Sequence, residues 1–126
     1  MEDNLGEAFL HLTMSIQAMS ARIDAEPINQ QNTPLENLLL RGPVKIGEEL
    51  GELNEAIIGM TGQNPRKGFT HTQYDVDKEL LDIALTALGT YEHRHGNNGS
   101  ALAALAIHVA GVRDRQTRYD EEKAAS

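Results

Sequence analysis

Residues 43–60 read PVKIGEELGELNEAIIGM, and two patterns overlap in them. The apolar residues Ile46, Leu50, Leu53, Ile57 and Met60 recur at steps of three and four, the period of an α-helix rather than a strand. At 100° per residue they fall within roughly 40° of one line and predict a core-facing stripe. Glu48, Glu49, Glu52 and Glu55 ride on the same helix with no base among them. On that wheel Glu49 lies about 60° and Glu52 about 120° from the centre of the stripe, while Glu48 and Glu55 lie nearly opposite it. Pro43 suits the first helical turn, where its missing N–H would have no partner, and Gly62, Asn64 and Pro65 end the helix.

Working outward, Leu5, Phe9, Leu12, Ile16, Met19 and Ile23 set the same period and predict a first helix. Pro27, the Asn-Gln-Gln-Asn run and Pro34 then predict a long loop over 26–42, with a short helical turn at Leu35 to Leu40. After the polar loop holding Arg66, Lys67 and Gly68, Thr72 or Asp75 caps a third helix running to about His93. Asn97-Asn98-Gly99-Ser100 is a turn, and Ser100 caps a fourth helix from Ala101 to about Tyr119, with a frayed tail after Glu121. No segment alternates with period two and no repeat is visible. The expectation is one all-α domain of four helices.

Composition limits the function. The chain has 126 residues, no cysteine and no tryptophan, so disulfide scaffolds and thiolate metal or redox sites are excluded. The formal charge of −8 is concentrated in residues 48–55 and in residues 75–82, where Asp75, Asp77, Glu79 and Asp82 accompany the single base Lys78. A basic stripe of the kind that binds a nucleic-acid polymer is missing, so no such partner is expected. Neither a membrane span nor a secretory leader is legible, and the expected location is the cytoplasm.

The acidic residues carry the chemistry. Glu49 and Glu52 are three apart, and so are Glu79 and Asp82, which places each pair on one helix face. Antiparallel packing of the second and third helices would set the two pairs across one groove. Carboxylates converging there repel one another and raise each other's pKa unless a cation sits between them. A hard divalent cation such as magnesium takes oxygen ligands and is commonly shared with substrate phosphates, which points to hydrolysis of a phosphoanhydride. The competing reading is a solvated acidic face. Gly47 and Gly51, each about 1 kcal/mol less favourable than alanine inside a helix, favour a close approach by a helix or ligand instead.

Lys45-Ile46-Gly47-Glu48-Glu49-Leu50-Gly51-Glu52-Leu53, followed by Lys78-Glu79-Leu80-Leu81-Asp82-Ile83, resembles the E-E-x-x-E … E-x-x-D signature of MazG-like nucleotide pyrophosphohydrolases. That family belongs to the all-α NTP pyrophosphatases, with dimeric dUTPases and phosphoribosyl-ATP pyrophosphatases as relatives. The 26 residues between the two halves fit its range, and the resemblance covers about residues 40–92. It implies a four-helix, oligomeric MazG-like bundle. It also implies magnesium-dependent cleavage of a nucleoside triphosphate between the α- and β-phosphates, with manganese as a substitute ion. Glu49, Glu52, Glu79 and Asp82 would be the metal ligands, and Glu48 would support them or position the attacking water. The basic candidates for substrate are Lys45, Lys78, Arg66, Lys67, Arg113, Arg115 and Arg118. The last helix departs from the family's Lys and Asn pattern, which leaves the base open. A relative specialised for dUTP, dCTP or phosphoribosyl-ATP, and a catalytically idle helical interaction protein with a metal-stabilised acidic groove, are the alternatives.

Other residues have plainer expectations. Glu92 and His95 form a single E-x-x-H, where a di-iron bundle needs two. His93 and His95 are expected at an exposed helix end, His11 and His108 in partnered positions, and Phe69 and Tyr74 in the core. The fourth helix is apolar nearly all round from Ala101 to Ala110, more than one small chain can cover, so a homo-oligomer, dimer or tetramer, is expected.

Overall fold

Thr33 and Thr72 each stand before a helical run and are followed three residues later by an acid, the capping-box spacing. Both boxes form in the computed structural model of the chain, which describes residues 2–126. The Thr72 N–H donates to Asp75 Oδ2 at 2.8 Å, and this bond holds the Asp75 carboxyl below its ordinary pKa. The elements are α1 (Glu2–Ala25), α2 (Pro27–Gln30), α3 (Pro34–Leu39), a π-helical turn (Leu40–Val44), α4 (Lys45–Thr61), α5 (Gln73–Arg94) and α6 (Ala101–Ala125). The chain is all-α, with no strand among the described residues.

Two ends differ from expectation. Pro43 does not open a helix; it lies inside the wide turn through which α3 runs on into α4, and the Lys45 N–H reaches back to the carbonyls of Leu40 and Gly42. A proline ring clashes with the carbonyl four residues earlier, and a π-turn makes room for it. At the other end α6 continues past Tyr119 to Ala125.

α4 and α5 pack antiparallel, tied at both ends. The Thr70 N–H donates to the Gly59 carbonyl at 3.0 Å, while Thr90 Oγ1 donates to the Arg41 carbonyl at 2.8 Å. Gly59 is required at its end, because a Cβ there would collide with the His71 ring and the Thr70 hydroxyl. Gly47 and Gly51 have open space beside them, so within this chain neither admits a neighbouring helix.

The buried line of α4 is not the apolar stripe read from its sequence. Gly42, Glu49, Ala56 and Gly59 are buried, whereas Leu50 is 50% and Ile57 39% exposed. The face turned to α5 is therefore rotated by roughly 60° toward Glu49, which sits at its centre rather than its edge. α1 behaves similarly: Ile16 is buried, but Leu5, Phe9, Leu12, Met19 and Ile23 along the same stripe are exposed.

Polar anchors join α1 to the π-turn, to α5 and to the turn after α5. Asp24 accepts from Arg41 Nη1 at 3.0 Å, Asn97 Nδ2 at 3.0 Å and His93 Nδ1 at 2.9 Å. His93 is thus largely enclosed, not free at a helix end. Burial pushes the Asp24 carboxyl up, but the hydrogen bonds from His93 and Asn97 and the charges of Arg41 and His93 outweigh it, and the pKa falls below its ordinary 3.8. A depressed carboxylate stabilises the fold at all pH above its unfolded value and loses that contribution as pH drops through the folded one. Acid unfolding of the native protein below pH 3.8 should therefore be partly suppressed in Asp24→Asn, which starts less stable at pH 7; urea titrations at pH 3 and 7 check this.

Glu92 has a second structural role. It is 1% exposed, and its two carboxylate oxygens accept the N–H groups of Gly99 and Ala101, each at 2.7 Å. It thereby caps α6 in place of Ser100, whose side chain makes no cap bond.

Candidate metal centre

The antiparallel register brings the second turn of α4 opposite the second and third turns of α5. Glu49, Glu79 and Asp82 meet there, each offering a carboxylate oxygen within 4.8 Å of the others. The Glu49 side chain is 10% exposed, that of Glu79 14% and that of Asp82 35%. Glu49 Oε2 and Glu79 Oε2 are buried with no hydrogen-bond partner. Burying a carboxylate oxygen without a donor is costly, and three acids share this place. A hard cation with oxygen ligands removes both penalties, so the donor set fits magnesium or manganese.

Of the four predicted ligands, Glu52 lies outside this cluster and is exposed. Glu48 is also exposed and is held by Lys45 Nζ at 3.1 Å. A lysine pairs with each acidic run, Lys45 from just before the first and Lys78 from within the second. Lys45 Nζ stands 3.6 Å from Glu49 Oε1, and Lys78 Nζ is 2.8 Å from Asp82 Oδ2 and 3.7 Å from Glu79 Oε1. Each lysine precedes its acids by up to one turn.

One turn further along the groove, Lys45 and Thr86 enter the wall of a cavity of about 380 Å³. Its lining is mainly apolar, with Ile16, Met19 and Ile23 from α1 and Leu85 from α5; Arg41 and Thr90 add polar groups. Arg41 is fixed by Asp24 and by the carbonyls of Ser20 and Gly89 at 3.3 and 3.1 Å. Met19, Arg41 and Thr90 were not legible as wall residues. Their positions depend on how α1 crosses α5 and on the π-turn, neither of which leaves a mark in local periodicity.

The remaining candidates are spread out. Lys67 lines a separate hollow of about 300 Å³ with Glu55, Asn64 and His71, at the far end of α4 from the cavity, and Arg66 is exposed beside it. Arg113, Arg115 and Arg118 are exposed on α6 and make no ion pair among the described residues. Phe69 and Tyr74, expected in the core, are 79% and 74% exposed. His11 and His108 are exposed, so neither is a core residue within the chain, and His95 stacks on Tyr91 with ring centroids 4.2 Å apart. No described helix is long and apolar enough to cross a membrane.

Comparison of the chain with protein-family models, curated proteins and solved structures returns no match.

Proposed function

We propose that this chain is a magnesium-dependent nucleoside triphosphate pyrophosphohydrolase of the MazG-like type, releasing a monophosphate and pyrophosphate. The observation that carries the reading is the pair of buried, unpartnered oxygens on Glu49 and Glu79, in a three-carboxylate cluster one helical turn from an apolar cavity. Glu49, Glu79 and Asp82 would hold the ion, with Glu52 as a further donor. A divalent ion held there supplies charge neutralisation at the phosphates and a more acidic bound water. The chain's own groups do the rest. The cavity walls would take an apolar, flat group such as a base, Lys45 at the junction would meet phosphate, and Glu48, once released by Lys45, would help position the attacking water.

The test is a panel of NTPs, dNTPs and phosphoribosyl-ATP with and without magnesium, read as monophosphate and pyrophosphate formed. Turnover spread over several bases fits a broad activity; turnover confined to dUTP, dCTP or phosphoribosyl-ATP fits a specialised relative. Failure across the panel with metal binding intact contradicts the enzyme reading and favours a helical interaction protein.

The reading includes self-association. Ile16, Ala56 and Ala101 are the fully buried apolar residues among those described, while α1 exposes Leu5, Phe9 and Leu12 and α6 exposes Ile107, Val109 and Val112. A core so small does not offset the chain entropy of a domain this size, and a second copy of the chain laid over α1 and α6 would cover these faces. Sedimentation equilibrium at micromolar concentration should return a dimer or tetramer. A stable monomer would count against this.

A further inference from the structure

We infer that Lys78 and Lys45 are tethered counter-ions of the acidic cluster, each occupying a flank of it until a divalent cation displaces the ammonium groups from Asp82 and Glu49. The inference rests on the metal reading above.

The geometry distinguishes these lysines from ordinary surface pairs. Lys78 Nζ spans Glu79 and Asp82, two of the three clustered carboxylates, and Lys45 Nζ spans Glu48 and the third, Glu49. Neither ammonium reaches the buried Oε2 atoms of Glu49 and Glu79, which stay unpartnered. The lysines therefore neutralise the cluster from outside and leave its interior unsatisfied. As stabilising devices they are poor choices. Both side chains are about half exposed, 49% for Lys45 and 54% for Lys78, and exposed pairs contribute little. Both also place the base before the acid along the helix, the less favourable order.

A cation entering among Glu49, Glu79 and Asp82 takes over the negative charge that holds the ammonium groups. It also repels them at short range, where a doubly charged ion outcompetes a single ammonium. Lys45 lines the cavity as well, so the ammonium leaving Glu49 remains beside it and is free to meet an anion there. Cation binding and anion binding then favour each other, as linkage requires.

The test uses manganese alone as the probe, titrated by calorimetry or by loss of the free-ion EPR signal. Lys78→Met should bind Mn2+ about three- to tenfold more tightly than wild type, because a competing charge has been removed. Lys78→Arg keeps the charge and should stay near wild type. Circular dichroism melting verifies that each variant is folded, as expected for a half-exposed side chain. If Lys78→Met leaves the affinity unchanged or weakens it, while Glu49→Gln abolishes binding, the counter-ion inference is overturned and the metal site stands. If the wild type takes up no Mn2+ at millimolar concentration, both fall.

Discussion

Glu49→Gln is expected to raise the melting temperature of the metal-free protein while removing nearly all magnesium-dependent hydrolysis. The Glu49 side chain is 10% exposed, carries an oxygen with no donor, and faces two further acids. An amide of the same size loses the charge and brings two N–H donors that the orphan oxygen of Glu79 can use. Relief of one unsatisfied buried acceptor is worth about 1–3 kcal/mol, or a few degrees in a domain of this length. The 3.6 Å contact with half-exposed Lys45 offsets little of that. Turnover should fall about a thousandfold, roughly 4 kcal/mol of barrier, and added magnesium should no longer shift the melting curve. This opposition between stability and activity is the signature of a site kept for function. Glu52→Gln is milder on stability, since Glu52 is exposed, and its effect on turnover reports whether Glu52 joins the ion's ligands.

The second large effect is structural. Glu92→Ala removes both acceptors for the Gly99 and Ala101 N–H groups and leaves a void at a site 1% exposed. Each orphaned buried donor is worth about 1–3 kcal/mol, and the void adds to that, so a loss of about 3–5 kcal/mol is expected. Glu92→Gln keeps one acceptor and should lose less than half as much. Urea unfolding of both variants provides the comparison. An unperturbed Glu92→Ala would mean that α6 is positioned by other contacts.

Legibility in the sequence tracked the range of the interactions. The all-α class, the four long helices and the Thr72 cap follow from local periodicity and capping chemistry, and all were readable. Glu79 and Asp82, three apart on α5, and Glu49 on α4 were singled out because helical spacing alone puts their carboxylates on usable faces, and the fold does bring the three together. What failed depended on how helices meet. The apolar stripe of α4 did not mark its contact face, because Leu50 and Ile57 are left uncovered by the chain's own helices. His93 was misread, and the role of Glu92 went unread, for a related reason: their partners Asp24, Gly99 and Ala101 are reached only through the turn after α5 and the crossing of α1. Pro43 looked like a helix start because a π-turn has no sequence signature of its own.

The proposed reaction is tested directly by 31P NMR of the wild-type protein incubated with magnesium and the nucleoside triphosphate that the substrate panel favours. The account predicts loss of the α-, β- and γ-phosphate resonances with matching growth of one monophosphate and one pyrophosphate signal, dependent on magnesium and absent with Glu49→Gln. An unchanged triphosphate spectrum, or conversion to diphosphate and orthophosphate, would contradict it.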